Sequence, residues 1–85
     1  MTAKYTVEAY NKSDEFLAFE VEIPKDKLEF LKEIMNWDDD EFESFLDTGW
    51  GYDLTIEQVK LMERVLGKQF YSDLYDFQLG GWESQ

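Results

Sequence analysis

Tyr5, Val7 and Ala9 alternate with Thr6 and Glu8, and further on Leu17, Phe19, Val21 and Ile23 alternate with Ala18, Glu20 and Glu22. A period of two marks a strand with one buried face. Between the two runs lies Asn11-Lys12-Ser13-Asp14, a string of turn formers. Together they predict a β-hairpin. The chain's single proline, Pro24, follows at once. It stops the second strand and suits the first turn of a helix, where its missing N–H would have had no partner. A hairpin cannot bury an apolar face on its own, so the rest of the chain must cover it.

The material for that cover is at hand. Leu28, Leu31 and Ile34 or Met35 recur at helical spacing, with Lys27, Glu29 and Lys32 on the other side. One of Asp38 to Asp40 can cap the next short helix, and Asp40 with Glu43 has the spacing of a capping box. Phe42, Phe45 and Leu46 then share one face of that helix. Gly49 and Gly51 break the chain around Trp50. Thr55 with Gln58 is a second capping box, and Leu54 with Val59 fits the accompanying hydrophobic staple. Ile56, Val59, Met62 and Leu66 form the expected buried stripe, ended by Gly67. Finally Tyr75, Phe77 and Leu79 alternate with Leu74, Asp76 and Gln78, a last strand expected to end at Gly80-Gly81. The order β-β-α-α-α-β implies an α+β fold. A small antiparallel sheet, made of the N-terminal hairpin and the C-terminal strand, carries about three helices on one face. Eighty-five residues form a single domain, 1–85, with one modest core.

Composition narrows the functional classes. There is no histidine and no cysteine. The commonest general acid–base group is therefore missing, as are thiol nucleophiles, disulfides and thiolate metal sites. Gly49-Trp50-Gly51 lacks the lysine and the preceding strand of a phosphate loop. Counted from Asp38 as a calcium loop, the sixth position is Glu43 instead of glycine, and apolar Phe42 takes the fifth. Ser72-Asp73-Leu74 reverses the Asp-Ser-Leu order of acyl carrier proteins and leads into a strand. The reading is a non-enzyme without catalytic residues, metal site or cofactor. No apolar run near the N-terminus approaches a secretion signal or a membrane span, so the expected location is the cytoplasm.

Charge supplies the positive clue. The formal net charge is −12, and from Glu33 to Glu57 nine acids occur without one lysine or arginine. That window carries −9, against −3 for the remaining sixty residues. A helix N-terminus accounts for one or two of these acids through its dipole, and solubility of a small domain needs a charge of only about 2–8. The excess repels nucleic acid and anionic membranes and attracts basic proteins. Asp38, Asp39, Asp40, Glu41, Glu43, Asp47 and Asp53 are thus the candidate partner-binding acids. Trp50 and Tyr52 are the candidate aromatic anchors, since Trp and Tyr dominate interface hot spots. Trp37 and Trp82 lie in similar turn-like surroundings.

Several short motifs carry a family resemblance. Tyr5-x-Val7-Glu8-x-Tyr10-Asn11-Lys12, Glu22-Ile23-Pro24 with Leu28 and Leu31, Tyr52-Asp53-Leu54-Thr55-x-x-Gln58 and Tyr75-Asp76-Phe77 resemble small immunity proteins. These belong to bacterial contact-dependent inhibition and related polymorphic toxin systems. The resemblance implies a protein that binds the C-terminal domain of its cognate toxin, often a nuclease, and blocks it; the expected state is a monomer. Binding residues differ between cognate pairs, so the resemblance assigns none. A nuclease cleft is basic because it holds phosphates, and an acidic patch with aromatics could occupy it. The alternative from another class is a phage-type nucleic-acid mimic directed at a restriction or RNA-guided nuclease. It would need carboxylates spread over an extended face, whereas the 38–47 cluster is compact.

Overall fold

The computed structural model describes residues 2–49 and 51–84, and the side chains of 4–49 and 51–81. It is the expected α+β fold with one added strand. β1 (Thr2–Asn11) and β2 (Leu17–Glu22) form the hairpin, and a 3-10 turn over Lys25–Lys27 follows Pro24. Then come α1 (Phe30–Met35), α2 (Asp39–Thr48), the two-residue β3 (Tyr52–Asp53), α3 (Ile56–Leu66) and β4 (Tyr75–Ser84). All pairings are antiparallel and the sheet order is β2-β1-β4-β3. The C-terminal strand therefore lies beside β1 at the centre of the sheet.

One core holds the layers together. Tyr5, Val7, Ala9, Phe77 and Leu79 on one sheet face meet Leu31 and Ile34 of α1, Phe42 and Phe45 of α2, and Val59 and Met62 of α3. The helices all lie on that face, and the other face is open. Two aromatic groups sit within this layer. Under α2, Phe45 lies 5.3 Å from both the Tyr5 and Trp37 rings and 5.9 Å from Tyr52. At the other end, Phe77 is ringed by Phe19, Phe70, Tyr71 and Tyr75 at 5.8–6.4 Å.

Caps set the helix bounds. The box at the start of α2 is Asp38 with Glu41, two residues before the expected Asp40 and Glu43. Thr55 and Gln58 form the expected box on α3, and Gly67 ends that helix at φ +67°. Asn36 takes the left-handed conformation after α1 (φ +57°), and the Trp37 N–H donates back to the Lys32 carbonyl at 2.9 Å. This turn brings Trp37 over Phe45.

Three further expectations need correction. β4 does not end at Gly80-Gly81 but runs through both glycines to Ser84, paired with β1 throughout. A Cβ on Gly81 would stand 2.7 Å from the Tyr5 ring, and one on Gly80 would stand 2.8 Å from Glu8 Oε1. The glycines make room for side chains of the neighbouring strand. Leu17 leaves the buried face because the register shifts between Ala9 and Tyr10, placing Leu17 opposite Tyr10. One extra residue in a strand moves everything beyond it to the other face. Ile56 is 60% exposed and outside the α3 stripe, which Val59 and Met62 hold. As the first helical residue its side chain leans back past the helix end.

A carboxylate organises the return from α3 to β4. Glu63 Oε2 accepts from the backbone N–H groups of Phe70 at 2.6 Å and Tyr71 at 2.9 Å. Lys60 Nζ lies 4.8 Å above the Tyr71 ring. The bonds from Tyr71 and Phe70, with Lys60 nearby, hold the Glu63 carboxyl below its ordinary value of 4.5. A folded value below the unfolded one gives stability that is present above about pH 4.5 and is lost as pH falls through the folded value. Glu63→Gln should therefore lower stability by about 2 kcal/mol at neutral pH. The difference from wild type should shrink as pH drops below 4.5, measured by urea denaturation at several pH values.

Two left-handed glycines give a second test. Gly49 has φ +62°, and a Cβ there would stand 2.9 Å from the Gly81 carbonyl oxygen, whereas nothing lies within 4 Å of one on Gly67. Gly67→Ala should cost about 1 kcal/mol through its backbone conformation alone. Gly49→Ala should cost more, about 3 kcal/mol, because backbone must also move. Denaturation midpoints compare the two directly.

Candidate functional site

α2 brings most of the candidate acids onto one element, and three of the six are engaged locally. Asp38 Oδ1 accepts from the Glu41 N–H at 2.8 Å, and Glu41 Oε1 accepts from the Asp38 N–H at 3.4 Å. Both carboxylates thus satisfy helix-end donors. Asp39 Oδ1 accepts from Lys32 Nζ at 2.7 Å, and that ammonium also stands 5.2 Å above the Phe42 ring. The contact with Lys32 lowers the Asp39 carboxyl, and its hydrogen bond to Asp39 raises Lys32. Each partner favours the charged form of the other.

Asp40, Glu43 and Asp47 have no such assignment. They recur at spacings of three and four, so they form one stripe opposite buried Phe42 and Phe45. All three are exposed, and no ion pair reaches them among the described residues. Lys32, held by Asp39, is the basic side chain beside α2, and Glu43 adds to the negative charge that raises it. Lys60, Arg64 and Lys68 gather near the C-terminal end of α3.

The aromatic candidates behave differently. Tyr52 is half-buried, with its ring 5.1 Å from Trp37 and 5.9 Å from Phe45. It is part of the core lid and not a protruding anchor, because strand pairing sets it opposite buried Leu79. Trp37 belongs to the same lid. Trp50 lies outside the described residues, and so does the side chain of Trp82.

Asp53 is separated from the α2 acids. It follows Tyr52 on β3, so it points to the opposite face of the sheet, where it pairs with Gln78. The expected single patch is therefore split between the outer side of α2 and the open sheet face. That open face carries further acids that the sequence reading did not single out: Glu8, Glu20, Glu22 and Asp76. Each sits at the polar phase of an alternating strand, which is the signal that could have found them. Only the strand order shows that they converge. No three carboxylates are placed to hold a metal ion among the described residues.

Residues 4–80 match a protein family described as a domain of unknown function, DUF7683. The chain belongs to this family. The match spans β1 through most of β4, so the DUF7683 domain includes both the hairpin and the central strand that closes the sheet. No curated protein and no solved structure matches the chain. No helix of this DUF7683 protein is long and apolar enough to cross a membrane among the described residues.

The division among the acids has a stability consequence. Asp38→Ala should cost about 1 kcal/mol, the usual worth of an N-cap. The triple variant Asp40→Asn, Glu43→Gln, Asp47→Asn should instead raise the melting temperature at low salt, because it removes unpaired like charges. That gain should fade as NaCl screens the wild type. Thermal melts at two salt concentrations check both signs.

Proposed function

We propose that this protein is a stoichiometric inhibitor of the immunity-protein type, which binds a basic toxin domain in the cytoplasm and acts as a monomer. The observation that carries this reading is the stripe Asp40, Glu43 and Asp47. These acids are exposed, unpaired among the described residues, and displayed on a helix whose other face is locked into the core. Helix capping uses Asp38 and Glu41 and one ion pair uses Asp39, so the stripe exceeds what the local structure uses.

An acidic helix fixed to a small core fits inhibition by occupancy. Carboxylates at the rim accelerate encounter with a basic surface. A toxin that acts on nucleic acid has such a surface in its phosphate-binding cleft, and a protein seated there excludes substrate. The reading involves no catalysis, no cofactor, no membrane and no nucleic acid as partner. The short motifs that resemble immunity proteins fall within residues 4–80, the DUF7683 domain.

Co-expression with a toxin domain encoded beside this gene should rescue growth, and an equimolar amount of the pure protein should abolish the toxin's activity. Turnover of a substrate by the isolated chain would overturn the reading. Failure to bind the neighbouring toxin would also overturn it, and inhibition of a restriction or RNA-guided nuclease would then identify a nucleic-acid mimic.

A further inference from the structure

An antiparallel sheet with one face in water usually sets opposite charges across from each other. The open face here does the reverse. One row crosses all four strands as Glu20, Glu8, Gln78 and Asp53, roughly 15 Å from end to end. The next row is Glu22, Thr6 and Gly80, and on the other side Tyr10 stands opposite Asp76. Glu8 directly opposite Glu20 is a destabilising pair. The cation contributed to this face by the described side chains is Lys4, whose Nζ lies 3.5 Å from Glu22. Tyr10 donates to Glu8 Oε1 at 3.2 Å. Burial, and then Glu8 and Glu20, raise the Tyr10 hydroxyl above its ordinary value.

A second observation singles out the middle of this face. Thr6 is 2% exposed, and its Oγ1 has no hydrogen-bond partner. By register it lies on the open face, between Glu22 on β2 and Gly80 on β4, with Lys4 and Glu8 before and after it along β1. A buried hydroxyl without a partner is destabilising by about 1–3 kcal/mol and is uncommon. Beside it, Gly80 is buried as well, with the Glu8 carboxylate lying across its backbone.

We propose that the open sheet face is a docking surface for a basic protein segment, with an arginine taking the place of the Lys4 ammonium beside Glu22 and reaching Glu8. The proposal rests on the reading of this protein as a binder of a basic partner, and it moves the main contact from α2 to the sheet. Arginine is the occupant that the chemistry selects. Its planar fork of five donors can serve two carboxylates at once, and the Thr6 hydroxyl as well when the Lys4 and Glu8 side chains beside it turn aside. A chelated metal would need three ligands around one point, and no such group occurs among the described residues. The Lys4–Glu22 pair is solvent-exposed and so exchanges readily for a stronger, bidentate contact. The α2 stripe then acts at a distance, steering the partner.

NMR titration of the intact protein with an oligo-arginine peptide, and with an oligo-lysine peptide of equal length, tests this. The arginine peptide should move the amides of Thr6, Glu8, Glu22, Gln78 and Gly80, and should bind more tightly than the lysine peptide. Glu8→Gln with Glu20→Gln should weaken it on the order of tenfold. Thr6→Val should weaken it about threefold while raising the melting temperature, because a methyl suits a buried site without a partner. A merely structural role for Thr6 would not lower affinity. Shifts confined to Asp39–Thr48, with wild-type affinity in the Glu8 and Glu20 variant, would overturn the docking surface and leave the basic-partner reading standing. Equal loss from neutralising any acids, on α2 or on the sheet, would show charge attraction alone and overturn it too.

Discussion

The seam between α2 and the sheet is the contact on which the rest of the molecule depends. Gly49 ends α2 with its carbonyl oxygen accepting from the Gly81 N–H at 3.1 Å, and neither residue has room for a side chain. The Tyr5 ring lies over Gly81, packs on Phe45 and donates its hydroxyl to the Leu46 carbonyl. One aromatic residue of β1 thereby fixes the end of a helix, covers a bare stretch of β4 and supports the fully buried Phe45. Truncating a buried Phe of this kind costs about 3–5 kcal/mol, a large share of what a small domain holds in reserve.

That seam also explains how the chain carries so much negative charge. The acids are kept off the packed layer and divided between the outer side of α2 and the far side of the sheet, with the core between them. Within α2, Asp38 and Glu41 satisfy backbone donors, and the helix dipole favours acids in its first turn. The balance of charge is left on surfaces, where water and salt moderate it.

Much of the fold is legible in the sequence because its signals are local. Alternation gives the hairpin and β4, Thr55 and Gln58 give the start of α3, and Pro24 gives the end of β2. What is not legible depends on pairing across the chain. Gly80-Gly81 reads as a terminator until Tyr5 and Glu8 are seen to occupy the space above it. Ala9, Tyr10 and Leu17 look regular until the register shift between strands turns Leu17 over. The candidate site follows the same rule. The α2 acids are contiguous and so visible, whereas Glu8, Glu20, Asp53 and Asp76 are scattered along the chain and meet only through the order β2-β1-β4-β3. Tyr52 resembles an interface aromatic by composition, and its partner Leu79 shows that it packs half-buried against the core.

The short β3 has a bearing on how the sheet meets its surroundings. A sheet of this size has two margins at which a further strand could add and continue the ladder. Along one margin β3 offers only two residues, and next to it the end of α2 already engages β4 at Gly81. Along the other, β2 is six residues long, carries Glu20 and Glu22, and is bent by its irregular pairing near Ala18. Another copy arriving there would bring the same two acids against these. Growth of the ladder from chain to chain is blocked at one side by shortage of backbone and at the other by repulsion, so an aromatic-rich chain can remain concentrated without polymerising.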